Sequence, residues 1–186
     1  MFIKILLLLF SFNLSAQVVT TLPEFAWVVR EISDDTSVKS LLAGNEDPHF
    51  VDASPSFVFK VAKAKLLIKN GMQLEMGWLP VVTQQSGNAE VQLGGKGHCD
   101  ASSDIDKLGV IQNYDRSMGD VHPVGNPHYT LSLVEMKSVV KTIARCMKNV
   151  SLKVNEAKLA ALLKRIDENL KSFKKKLAPL NKLNFM

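Results

Sequence analysis

Two of the four histidines in this chain lie on one short run, "GDVHPVGNPHY", residues 119 to 129. Pro123, Gly125 and Pro127 break the interval between His122 and His128, so the run is neither regular helix nor regular strand. A third imidazole, His49, sits upstream in "GNEDPHF". His49 and His128 each follow a proline, which stiffens the backbone just before the ring. Neutral imidazole is a good ligand for Zn²⁺ and other late first-row divalent ions. Glu46, Asp47 and Asp120 stand close by in sequence, and carboxylates so placed can orient the ring N–H groups. The spacing alone also fits structural or surface histidines. The sequence carries no HExxH, no paired CxxC, no P-loop and no GxSxG, and neither Ser54 nor Ser117 has a nucleophile's context.

The elements that must position these loops alternate in type. "AQVVTTL" reads as a short buried strand. "TLPEFAWVVREIS" reads as a helix, with Thr21 and Glu24 as a capping box and Phe25, Val28, Val29 and Ile32 on one face. A strand at "TSVKSLLAG" follows, then a helix at "SPSFVFKVAKA" capped by Ser54, a strand at "KLLIKNG" and a weaker helix at "LEMGWLPVVTQQSG". This β-α-β-α-β-α order predicts an α/β fold, a parallel sheet with flanking helices. Residues 86–127 read as a long functional loop without regular elements. Two amphipathic helices close the pattern. The first carries Met136, Val139, Val140, Ile143 and Met147 on one stripe. The second runs for about 25 residues, roughly 37 Å, with Leu159, Leu162, Leu163, Ile166, Leu170, Phe173 and Leu177 on another.

At 186 residues and 46% hydrophobic content, the chain is sized for one ordinary domain with a core. The net charge of +5 does not indicate nucleic acid, because the late lysines in "KSFKKKLAPLNK" lack interleaved aromatics and read as a solvated helix end. Residues 1–16 read as a signal peptide: Lys4, the apolar run "ILLLLF", and "NLSA" before Gln17. Export to the periplasm or cell exterior is therefore expected. Cys99 and Cys146 fit no common zinc motif; two free thiols are the default expectation, although export makes a disulfide permissible.

"GNEDPHF" followed by "SPSFVFKVAKAKLLIKNG" resembles the first metal loop of the zinc/manganese ABC-transporter solute-binding proteins. "DASSDI" through "DRSMGDVHPVGNPHY" resembles the second-ligand region of a zinc-binding branch of that family. In that family two α/β lobes are joined by one long helix, with the metal between the lobes. The resemblance implies His49 and His128 as metal ligands, with His122, Asp47 and Asp120 as supporting or transfer residues. His98 has no ligand counterpart and reads as loop surface. Glu75 and Trp78 are expected to wall the cleft or pack against it. Thr130, Ser132 and Leu133 depart from the family pattern, so Ser132 is expected to cap the next helix.

The implied organisation is a signal peptide at 1–16, an N-terminal metal-binding lobe at 17–150, a long linker helix at 151–178 and the truncated start of a C-terminal lobe at 179–186. The implied function is an exported receptor, not an enzyme, that captures Zn²⁺ (Mn²⁺ less well) for ABC permease subunits. Self-association through the exposed linker helix is a further expectation. The competing readings are a non-functional remnant of such a receptor and a small periplasmic metallohydrolase built on His49, His122 and His128.

Overall fold

The computed structural model describes residues 17–113, 115 and 121–178. The signal-peptide reading, Asp120 and the segment 179–186 lie outside those residues. Four short parallel strands form the sheet: β1 (Val18–Thr20), β2 (Val38–Ser40), β3 (Leu66–Lys69) and β4 (His98–Asp100). Their order is β2-β1-β3-β4, and every pairing is parallel. The chain steps outward from β1 to β2 through α1 (Pro23–Ile32). It then returns past β1 to β3 through α2 (Pro55–Ala62). That reversal makes a topological switch between β1 and β3, the place where open α/β sheets form ligand crevices.

The central strands read as continuous apolar runs because helices cover the sheet. Val18, Val19, Leu66, Leu67 and Ile68 have no exposed surface. Helices α1, α4 (Leu133–Asn149) and α5 (Glu156–Leu177) pack on one another, and α2 packs on α3 (Leu79–Ser86). All of the expected stripe on α4 except half-buried Met136 lies in the core. As expected, the Ser54 side chain accepts from Phe57 N, and Ser132 Oγ accepts from Glu135 N.

Three expectations need correction. No capping box forms at α1, because the Thr21 hydroxyl is drawn away to Glu75 Oε1 at 2.6 Å. Residues 86–127 are not all irregular: a 3-10 turn at Ala89–Val91 leads into β4. At three residues, β4 is too short to show alternation, and the glycines before it mask the strand. Gly97 is needed there, since a Cβ would lie 2.3 Å from Lys65 O. Finally, Cys99 and Cys146 are not free thiols but a disulfide, with Cα atoms 6.0 Å apart. It ties edge strand β4 to α4, a proximity that linear spacing does not reveal.

Helix α5 is 22 residues long, about 33 Å, against the 25 expected. Its first half is anchored. Leu162 and Ile166 are buried, Arg165 pairs with Glu31 on α1, and Lys137 on α4 pairs with Asp167. Lys158 and Asn155 both bond Asp34, and the Lys158 ammonium holds that carboxyl below its usual range. Its second half stands away from the core, with Phe173 and Leu177 about half exposed.

The crosslink yields a test. It closes a loop of 47 residues, so chain entropy puts its contribution at about 4 kcal/mol. Urea unfolding with and without reductant should show that loss as a lower midpoint, with a slope no smaller, since the uncrosslinked chain exposes more surface when unfolded. Coincident curves would mean that packing alone holds β4 to α4.

Candidate metal centre

The site is built on the loops that leave the carboxyl ends of the strands. The β3 exit is the tightest. Gly71 has φ +87°, and a Cβ there would meet Asp100 Oδ1 at 2.1 Å, so only glycine fits. Met72 and Gln73 also take left-handed backbone, at φ 49° and 67°. Each such non-glycine residue costs about 1–2 kcal/mol. The compensation is visible in what this turn encloses.

Glu75 is 97% buried inside that turn. Its Oε1 accepts from Thr21 Oγ1 (2.6 Å) and Asn70 N (2.6 Å), and its Oε2 accepts from Gly71 N (3.1 Å). Burial pushes the carboxyl above the usual carboxylate range, while the three donors pull against that shift. Asn70 carries the network onward. Its Nδ2 donates to Pro127 O at 3.1 Å, and its backbone oxygen accepts from Tyr129 Oη at 2.6 Å. The indole of Trp78 donates to Pro48 O at 2.9 Å. The segment 70–78 thus grips the residue before His49 and both neighbours of His128.

The three expected imidazoles are brought together. His49 Nε2 lies 3.0 Å from His122 Nε2. The His128 ring centroid is 5.6 Å from that of His49 and 6.4 Å from that of His122, and the His49–His122 centroids are 5.1 Å apart. His49 Nδ1 bonds Asp47 Oδ1 at 2.7 Å. A carboxylate only accepts, so Nδ1 carries the proton in this contact. The backbone N–H and the ring of His49 hold the Asp47 carboxyl below its usual range.

The spacing suits an ion. Two nitrogens on a tetrahedral zinc at 2.0–2.1 Å would be about 3.3 Å apart, with ring centroids roughly 5 Å apart. The His49–His122 pair needs only a few tenths of an ångström of opening, and His128 must close by about an ångström. Among the described residues no three His, Cys, Asp or Glu donors are already drawn to one point.

His98 departs from the loop-surface reading. It lies on β4, and its Nδ1–H donates to Val91 O at 3.0 Å. It is remote from the cluster's contacts and serves the fold. Sequence reasoning missed Asn70 and Tyr129 entirely and gave Glu75 too small a role. The lone charged residue in the turn "NGMQLEMGW" was the available signal.

A parallel α/β lobe with three imidazoles gathered beyond the carboxyl edge of its sheet has the architecture of a metal-receptor lobe. The chain belongs to the family described as "Zinc-uptake complex component A periplasmic" (ZnuA), whose model matches residues 18–185. Among solved structures, it is similar to a deletion mutant of ZnuA with zinc bound, at 22% identity and TM-score 0.69. That match covers 89% of this chain and 59% of that one. It is also similar to the periplasmic zinc-binding protein TroA of Treponema pallidum, at 18% identity and TM-score 0.65, covering 89% and 56%. A third neighbour is the Mn-bound periplasmic metal-binding protein of Candidatus Liberibacter asiaticus, at 18% identity and TM-score 0.58, covering 88% and 55%. The chain therefore spans a little over half the length of the proteins it resembles. A search of curated proteins finds no match. No helix among the described residues is long and apolar enough to cross a membrane.

Removing the Tyr129 hydroxyl tests the network. Tyr129→Phe leaves Asn70 O without its donor, at a cost of about 1–2 kcal/mol. Divalent-metal affinity should fall as well, because the 127–129 backbone, which carries His128, loses an anchor. Unchanged affinity in a destabilised Tyr129→Phe chain would uncouple the network from the site.

Proposed function

We propose that this chain is the metal-capturing lobe of an exported receptor that delivers a divalent transition-metal ion, zinc first, to an ABC importer. The observation that carries this reading is the convergence of His49, His122 and His128, with the His49 tautomer fixed by Asp47. Family membership supports the receptor class. In this reading His49 and His128 bind the ion directly. His122 has a larger part than a supporting one, because its Nε2 lies 3.0 Å from that of His49.

An all-imidazole set favours zinc over manganese, which prefers carboxylate and carbonyl oxygen. The protein's task is capture and release, so it needs no general base and performs no bond chemistry on its cargo. Positions on the ion that the imidazoles leave open are filled by water or by groups from beyond this lobe. Residues 17–150 form the capturing lobe, and 151–178 supply the linker, of which Glu156–Leu177 is helix. The apolar leader at 1–16 directs export, and the ABC permease subunits receive the ion. The exposed end of α5, with Phe173 and Leu177, is where a second copy would associate.

Titration of the chain with Zn²⁺ against a chromogenic chelator tests the reading. One ion should bind per chain, and His49→Ala and His128→Ala should each weaken it at least tenfold, with His122→Ala close behind. Wild-type affinity in both the His49 and His128 variants would refute the assignment.

A further inference from the structure

The disulfide lies one residue away from the turn that organises the imidazole loops. Cys99 stands opposite Ile68 in the β3–β4 pairing, and Asp100 stands opposite Lys69. The Asp100 carboxylate then packs against the β3 exit. Its Oδ2 pairs with Lys69 Nζ at 3.1 Å, and its Oδ1 accepts from Ser102 N at 3.0 Å and Ser102 Oγ at 2.7 Å. The same Oδ1 fills the space that Gly71 leaves open, 2.1 Å from where a Cβ would stand. Gly71 N in turn donates to Glu75, while Asn70 holds Pro127 and Tyr129. The residue after Cys99 is thus a support for the turn that grips the histidine loops.

The other cysteine belongs to the helix that follows His128. Tyr129–Leu131 is a 3-10 turn that runs into α4, with Ser132 as the cap, and Cys146 stands in the last turn of that helix. The Cys99–Cys146 bond therefore closes a ring of contacts: β4, the β3 exit, the Asn70–Tyr129 hydrogen bond, α4 and back to β4. The metal site lies on one arc of this ring and the crosslink on the opposite arc. Helix α4 is about 25 Å long and moves as one body, so a shift in its packing on β4 reaches the His128 corner. Asp104 adds bonds from the chain after β4 to Thr142 and Arg145. The ion pair among these is about half exposed, and such pairs contribute little.

We propose that the Cys99–Cys146 bond is a redox-sensitive positioning link for metal capture. Oxidised, it holds the two histidine loops in one frame. Reduced, it frees α4 against β4 and weakens the hold on the ion. The inference rests on the imidazole cluster being the metal site. The step is thiol–disulfide exchange with a dithiol. One thiolate of the dithiol attacks a sulfur of the pair and forms a mixed disulfide, and its second thiol then displaces the protein sulfur. The dithiol leaves as a disulfide, and its two electrons and two protons pass to Cys99 and Cys146. An exported chain meets an oxidising compartment, so the linked, capturing form is the resting one.

Zinc affinity in the two redox states is the test. The folded chain is reduced with a phosphine, chosen because dithiols chelate zinc, then freed of reductant and titrated with Zn²⁺ against the chromogenic chelator under argon. Reduction should weaken binding about fivefold or more, the lower end of coupling between distant sites, and reoxidation should restore it. The double variant Cys99→Ala, Cys146→Ala should bind like the reduced chain with or without reductant, which excludes the freed thiols as the cause. Asp100→Ala, with the disulfide intact, should weaken binding to a similar extent. Circular dichroism should stay native throughout. Equal affinity in both states, wild-type affinity in either variant, or loss of the fold on reduction would overturn the link. A fault in the metal-site reading shows separately: His49→Ala would then leave the affinity of the oxidised chain unchanged, whatever the redox result.

Discussion

The Glu75 carboxyl lies where two segments of chain meet, and the rest of the site depends on how its oxygens are satisfied. Thr21 brings the end of β1, and Asn70 and Gly71 bring the end of β3. A buried carboxylate without partners would cost several kcal/mol, so these donors are not optional. The left-handed backbone at Gly71, Met72 and Gln73 follows from that demand, because it wraps the β3 exit around the carboxylate. From the same wrapped turn, Asn70, Trp78 and the Tyr129 hydroxyl reach the loops of His49 and His128. Two loops separated by most of a domain's sequence are thereby given one reference frame.

Farther from the cleft, the fold is held by different means. The Cys99–Cys146 disulfide fastens edge strand β4 to α4. Asp104, held below its usual range by Arg145 and Thr142, fastens the chain just after β4 to the same helix. The first half of α5 is pinned to α1 and α4 by buried Leu162 and Ile166 and by exposed ion pairs. Exposed pairs contribute little each, so the two apolar side chains carry most of that anchoring. Rigidity is thus concentrated behind the imidazoles, while His128 stays exposed.

The sequence pattern exposed the repeating elements because each carries its own period or cap: the stripe on α4, Pro55 after Ser54, the apolar run Leu66–Ile68. It exposed the histidines because proline sets them apart and because their loops resemble a known family. It did not expose β4, which is three residues long, or the disulfide, which depends on β4 lying beside α4. Thr21 and Glu24 made a plausible capping box by spacing, and the structure spends Thr21 on Glu75 instead. A local signal lost to a buried carboxyl group 54 residues away. The role of Asn70 was invisible for the same reason: both its partners and its unpartnered oxygen are tertiary facts.

The central claim is that the imidazoles on these two loops share one ion. X-ray absorption at the zinc edge, on the chain loaded with one equivalent, measures this most directly. The account predicts a nitrogen and oxygen shell at about 2.0–2.1 Å with the outer-shell scattering of two or three imidazole rings. A sulfur shell near about 2.3 Å, or an oxygen shell with no imidazole signature, would contradict it.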